Sequence, residues 1–289
     1  MNSETSHQRV LVAGSWGQLG SELVRLLGKH AVGLDLPEFD ITDRGVVRAA
    51  FEVHRPDVVI NAAAFTQVDL AEAEPERCRM VNVQGVENLV DACNRFGASI
   101  VQISTDYVFD GGQTEPYRES DRVNPLNTYG KTKLEAEELV AGYDRHLIVR
   151  TAGLFGVGGV SASRNFVDTM VRLGREGADL RVVSDQVSSF TYAHDLAQGI
   201  TALVGVGETG LFHLVNPGSA SWYEFAAEIF RRMGLSPVIE AVTAAEYGSR
   251  AARPRFSVLS TAKYEAVRGH FPMRRWETAL SAYVACRFR

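Results

Sequence analysis

Tyr129 and Lys133 are the residues whose types and spacing point most directly to chemistry. Of the nine tyrosines, only Tyr129 has a lysine four residues further on. On a helix, positions i and i+4 share a face. The ammonium is then expected to favour the phenolate and bring the tyrosine pKa down from about 10. A phenol tuned in this way can protonate an alkoxide as hydride reaches a carbonyl carbon, and the lysine can also hold a ribose. Ser104 and Thr105 end a short apolar run. A hydroxyl at the carboxyl end of a parallel strand can hydrogen-bond a substrate carbonyl, and the spacing does not choose between the two.

A second group of residues suits a dinucleotide. Gly14-Ser15-Trp16-Gly17-Gln18-Leu19-Gly20 follows an apolar run and opens an amphipathic one. In that context Gly14, Gly17 and Gly20 supply a tight turn, close approach of backbone to a diphosphate, and close helix–strand packing. The helix start adds free N–H groups for the phosphates. Asp35 lies roughly 20 residues further on, where a carboxylate can bond the adenosine ribose hydroxyls and repel a 2′-phosphate. Asp40 and Ile41 form a polar–apolar pair suited to flanking an adenine. Asn61-Ala62-Ala63-Ala64 ends another apolar run, and its small side chains let a cofactor lie against the backbone.

The elements that must position these residues alternate in a βαβ rhythm. Strands are predicted over 9–13, 31–34, 58–60, 99–103 and 147–149, with helices over 18–27, from an Asp43 N-cap through Val53, within 75–96 and over 129–143. The stretch 106–127, rich in Gly, Pro, Asp and Asn, reads as a long functional loop. Beyond residue 155 helices are predicted over 165–173, 193–204, 222–233 and 276–285, and strands over 180–183, 211–215 and 238–241. The expected fold is α/β: a Rossmann-type doubly wound parallel sheet with a smaller C-terminal α/β substrate lobe. Residues 1–155 are read as the NAD(P)-binding domain. Residues 156–289 are read as mainly the substrate lobe, with some segments returning to the main sheet.

Composition excludes several classes. The net charge of −5 argues against nucleic-acid binding through a broad basic surface. No apolar run approaches the roughly 18 residues of a membrane span, and the polar opening MNSETSHQ lacks the apolar stretch of a signal peptide. Cys78, Cys93 and Cys286 form no C-x-x-C pair and are odd in number, which suits the reducing cytoplasm. No histidine spacing suggests a metal site.

Together these residues resemble the extended short-chain dehydrogenase/reductases, and more narrowly the dTDP-4-dehydrorhamnose reductase family. The likeness runs through Gly14–Gly20, NAAAFTQVDLAEAEPE (61–76), STDYVFDG (104–111), NPLNTYGKTKLEAE (124–137), HLIVRT (146–151), TYAHDLA (191–197), HLVNPGSASWYEFA (213–226) and RPRFSVLST (253–261). The resemblance implies reduction of the 4-keto group of dTDP-4-dehydro-L-rhamnose with NADPH or NADH. It matches Tyr129 to the proton donor, Lys133 to the cofactor lysine and Thr105 to the polarising hydroxyl. It also matches Gly17, Gln18, Leu19, Asp35, Asp40, Ile41, Ala64, Phe65 and Thr66 to cofactor contacts, and Thr105 and Asp106 to sugar contacts. The expected partner is a dTDP-sugar, with a homodimer left open.

The chain departs from the family where a Ser-Trp pair usually follows Arg150-Thr151, because Ala152 and Gly153 stand there. Ser188 and Phe190 replace a usual Gly and Pro, and Phe190 is the candidate to restore the lost aromatic surface. Other readings stay open: a 4-ketoreductase for another deoxysugar nucleotide, a sugar-nucleotide epimerase or dehydratase, or a non-catalytic dinucleotide-binding subunit resembling the regulatory subunit of methionine adenosyltransferase. An acidic chain needs a local cation to hold a sugar nucleotide's diphosphate. Arg253 and Arg255 bracket Pro254, and Arg253, inside the matched Arg-Pro segment, is the expected ligand.

Overall fold

The structure is a computed structural model that describes residues 8–158 and 165–288. The polar segment 1–7, read above as lacking a signal peptide, lies outside the described residues. Six parallel strands form the central sheet: β1 (Val10–Ala13), β2 (Ala31–Leu34), β3 (Val58–Asn61), β4 (Ser99–Thr105), β5 (His146–Thr151) and β6 (Gly210–His213). Their order is β6-β5-β4-β3-β1-β2. The chain steps outward from β1 to β2, then crosses back to place β3 on the other side of β1. That reversal opens a crevice beyond the strand ends, where ligands bind in such sheets.

Alternation along the strands sends apolar side chains to both faces. Val10, Val12, Ile60, Val101 and Val149 pack with Leu19 and Leu23 of α1 (Gln18–Leu27) and with Leu196, Ile200 and Leu203 of a helix over Ala193–Val206. Leu11, Ala13, Val59, Ile100 and Ile148 face the opposite layer. There they meet Val47 and Phe51 of α2 (Arg44–His54), Val86 and Leu89 of α3 (Gly85–Phe96), and Ala136 and Val140 of α4 (Thr128–Ala141). A sheet covered on both faces explains why its strands read as continuous apolar runs. Asp43 caps α2 by accepting from Gly45 N (2.7 Å) and Val46 N (3.1 Å). Asn127 caps α4 by accepting from Gly130 N (2.7 Å).

A further cluster packs outside the main sheet. It joins Phe155, Val167, Phe190, Phe225, Ile229 and Tyr283, on segments that include helices Phe166–Arg175, Trp222–Met233 and Trp276–Arg287. Three two-stranded pairings accompany these helices: Ile239–Val242 with Leu180–Val183 and Leu154–Phe155 with Thr191–Tyr192, both parallel, and Ala220–Ser221 with Val187–Ser188, antiparallel. The predicted 211–215 strand is β6, which joins β5 of the main sheet. The region 75–96 contains Pro75–Arg79, a wider π turn over Met80–Gln84, and α3. A helix over Val68–Ala73 precedes it and was not expected from the sequence.

Candidate active site

A cleft of about 760 Å³ runs along the carboxyl ends of the strands. At one end, the β1–α1 turn leaves no room for side chains. Gly14 has φ +78, and a Cβ there would lie 2.5 Å from Ala63 N. A Cβ on Gly20 would lie 2.1 Å from Gly14 O. Gly17 caps α1 without a side-chain hydrogen bond, and the first turn carries no acidic residue. The helix therefore offers unshielded N–H groups to an anion, which suits the diphosphate of a nicotinamide dinucleotide.

Asp35 is held at the end of β2, its carboxylate accepting from Trp16 N (2.7 Å) and Leu36 N (2.8 Å). This ties the glycine loop to the strand and leaves the carboxylate on the cleft wall. Asp40, also on the wall, accepts from the Thr42 amide (2.8 Å) and hydroxyl (2.7 Å). Ile41 packs so closely on α3 that a Cβ at Gly85 would lie 2.6 Å from its Cγ1. Ala62, Ala63 and Ala64 line the wall, where Ala62 N bonds Ala13 O and Ala63 N bonds the Asn61 side chain. Gln18, Leu19 and Thr66 line it as well. Phe65 does not: its ring packs in a small core with Ala71 and Cys78, and its amide donates to Asn82 Oδ1 (2.8 Å).

The other reactive groups converge where β4 ends and α4 begins. The Ser104 hydroxyl donates to Glu137 Oε1 (2.5 Å), and Glu137 pairs with buried Arg150 at 2.6 Å. Ser104 is thus tied to a buried ion pair, while the Thr105 hydroxyl stands beside the Tyr129 phenol. Thr105 Oγ1 accepts from Tyr107 N (3.2 Å) and donates to Asp106 Oδ1 (3.1 Å). Lys133 is 3% exposed and donates to Ile103 O (2.5 Å). Burial pulls its pKa down to about 8, against the opposing pull of the Glu137 carboxylate.

The expected lowering of the Tyr129 pKa is not found. Burial pushes the phenol up, and the Thr105 hydroxyl beside it only partly offsets this. Burial thus leaves Tyr129 protonated at neutral pH, the form a proton donor needs, while Lys133 is anchored on the Ile103 carbonyl. Asp106 is also buried. Its carboxyl accepts from the hydroxyls of Ser257 (2.6 Å), Ser188 (3.3 Å) and Thr105. Burial raises its pKa to about 6 while these hydroxyls hold it down.

Arg253 lines the cleft, but its guanidinium already grips Asp69 through two bonds of 2.6 and 3.2 Å and donates to Ala251 O (3.1 Å). Arg255 is 82% exposed in its side chain, 3.9 Å from Asp185, and off the cleft wall. Phe190 does not replace the lost aromatic surface. It is fully buried and stacked on Phe225 with centroids 3.8 Å apart. Gly153 has φ +51, and a Cβ there would lie 2.5 Å from Ser189 O and 2.8 Å from Phe190 Cδ1, so Phe190 closes that position to any side chain. Sequence reasoning also missed Thr151, Gln186, Ser188, Trp222 and Ser257, all on the wall. Thr151 ends β5, and the strand-end rule that singled out Thr105 would have found it. The Thr151 hydroxyl is buried and has no hydrogen-bond partner among the described residues.

The doubly wound sheet, the glycine cradle and the Tyr129–Lys133 pair define an NAD(P)H-dependent oxidoreductase of the short-chain dehydrogenase type. Residues 8–287 match the RmlD substrate binding domain, and the chain belongs to that family. It is 42% identical over 280 residues to the spore coat polysaccharide biosynthesis protein SpsK of Bacillus subtilis, covering 96% of each chain. It is 41% identical to a dTDP-4-dehydrorhamnose reductase of Streptomyces griseus, covering 94% of this chain and 92% of that one. The structure superposes with a TM-score of 0.91 on the dTDP-4-dehydrorhamnose reductase of Bacillus anthracis solved in complex with NADP, at 36% identity over 96% of this chain and 99% of that one.

Proposed function

We propose that the chain reduces the 4-keto group of a dTDP-linked 6-deoxysugar, foremost dTDP-4-dehydro-L-rhamnose to dTDP-L-rhamnose, with NADH or NADPH. The observation that carries this reading is that Thr105, Tyr129 and Lys133 line the same cleft as the glycine cradle. Gly14–Gly20, Asp35 and the Ala62–Ala64 backbone would hold the dinucleotide, which when bound would supply the hydride for the carbonyl carbon. The Thr105 hydroxyl hydrogen-bonds the carbonyl oxygen and polarises it. The Tyr129 phenol gives its proton to that oxygen as negative charge develops. Lys133, anchored on the Ile103 carbonyl, keeps a cation beside the ribose and the developing charge. Asp106, on its three hydroxyls, faces the sugar.

Gly153 supports a second reading. Ala152 and Gly153 stand where the family usually carries a Ser-Trp pair, and this different lining suits a 4-keto-deoxysugar other than the rhamnose precursor. Among the described residues no helix is long and apolar enough to cross a membrane. Free thiols at Cys78, Cys93 and Cys286 support work in the reducing cytoplasm. A homodimer is part of the same reading, and light scattering tests it. The activity is tested by offering the protein a set of nucleotide 4-keto-sugars with each cofactor and reading product stereochemistry by NMR. The expected product from the rhamnose precursor is dTDP-L-rhamnose. Absence of cofactor oxidation with every keto-sugar would overturn the reading.

A further inference from the structure

We propose that Trp222 is the wall against which the substrate's deoxyhexose ring packs, and that it sets specificity for the sugar half of the ligand. The inference deepens the reading above and rests on it. Trp222 opens the helix Trp222–Met233, whose start is fixed by a capping box in which Ser221 accepts from Glu224 N and the Glu224 side chain accepts from Ser221 N. The preceding residues pair antiparallel with the cleft wall, Ala220 opposite Ser188 and Ser221 opposite Val187. The indole is further locked by edge contacts with Phe166 (4.8 Å, 65°) and Phe190 (5.0 Å, 87°). It is only partly buried, and it lines the cleft.

Its neighbours place it at the reacting end. Ser188, on the strand that carries this pairing, donates to Asp106, and Asp106 is bonded to Thr105. Phe190, which the indole touches, closes Gly153 to any side chain together with the Ser189 carbonyl. The site thus cannot draw an aromatic wall from the end of β5 and finds one on the neighbouring helix. Trp16 and Phe39 line the cleft beside Asp35 and Asp40, and Tyr107 and Tyr129 flank the reacting hydroxyls, so Trp222 is the indole left for the sugar. Gln186, on the same wall and 8% exposed, makes no hydrogen bond to another described residue, which leaves its amide for a sugar hydroxyl. A 6-deoxyhexose presents C–H bonds and a methyl group, the surface that an indole covers best.

The test uses Trp222→Phe and Trp222→Leu with thymidine diphosphate and dTDP-glucose as binding probes. dTDP-glucose should quench wild-type tryptophan emission more than thymidine diphosphate does, and Trp222→Phe should lose that difference. Trp222→Leu should raise the KM for the keto-sugar roughly tenfold, with kcat, NADH affinity and thermal midpoint near wild type. An unchanged KM in Trp222→Leu, or equal quenching by the two probes, overturns the proposal. If Trp222→Leu fails to fold, the emission difference in Trp222→Phe decides. A wild-type protein that reduces no keto-sugar yet shows the sugar-dependent quenching would sink the activity and leave the subsite standing.

Discussion

Arg253→Ala should weaken sugar-nucleotide binding and leave NADH binding alone. The Arg253 side chain is 18% exposed and lines the cleft, and its guanidinium is pre-aligned by two bonds to Asp69. Losing one charge-assisted hydrogen bond to a diphosphate oxygen costs about 1.5–3 kcal/mol, roughly a tenfold to hundredfold loss of affinity. The structural cost is small. Asp69 is 49% exposed, and a pair so open to solvent contributes about 0–1 kcal/mol to stability. Calorimetry with thymidine diphosphate and a dTDP-sugar should therefore show a large fall in affinity beside a nearly unchanged thermal midpoint. Asp69→Asn provides the contrast: it removes the competing carboxylate and keeps the arginine, so affinity should hold or improve. Equal affinity in wild type and Arg253→Ala would place the diphosphate elsewhere. An equal fall in Arg253→Ala and Asp69→Asn would mean that the pair merely holds the 251–254 segment in place.

Asp35→Ala should shift cofactor preference toward NADPH, because the carboxylate that bonds ribose hydroxyls also repels a 2′-phosphate; steady-state KM values for both cofactors check this, and an unchanged ratio would leave Asp35 as a loop anchor for Trp16. The pH profile of kcat/KM should fall as pH rises through about 8, where buried Lys133 loses its proton. The same lysine affects stability with the opposite sign. Between about 8 and the ordinary value of 10.5 the unfolded chain holds the proton that the folded chain has released, so this group's contribution to stability rises with pH across that window. Activity and denaturant midpoint measured over the window should diverge, and a flat activity profile would contradict the burial argument.

The parts of the fold that rest on local pattern were legible in the sequence. The β1–α1 turn, the Asp43 cap and the helix Trp222–Met233 follow from glycine spacing, a capping side chain and helical periodicity. Boundaries were cut short where a buried strand ends in polar residues, as in β4, which runs on through Ser104 and Thr105. What could not be read depends on contacts distant in sequence. Arg253 meets Asp69 across 184 positions, and Asp106 meets Ser257 across 151. Phe190 and Trp222 look alike as sequence, both aromatic beside polar residues. Their separation into buried ring and cleft wall follows from the pairing of Ala220–Ser221 with Val187–Ser188, two-residue strands with no periodic signature. The Tyr129 pKa was misjudged for a related reason. Helical spacing places Lys133 on the right face, but a backbone carbonyl of β4 claims its ammonium and burial then governs the phenol.

The central claim is that Tyr129 delivers the proton that completes reduction of the keto group. Single-turnover reduction of dTDP-4-dehydro-L-rhamnose by Tyr129→Phe, followed through loss of reduced-nicotinamide absorbance, tests it most directly. The half-buried phenol lies beside Thr105 on the cleft wall, so Tyr129→Phe deletes the donor and keeps the ring. The rate should fall roughly 10²–10⁴-fold, with NADH and dTDP-sugar affinities near wild type. A Phe variant that reduces the sugar at close to the wild-type rate would contradict the account.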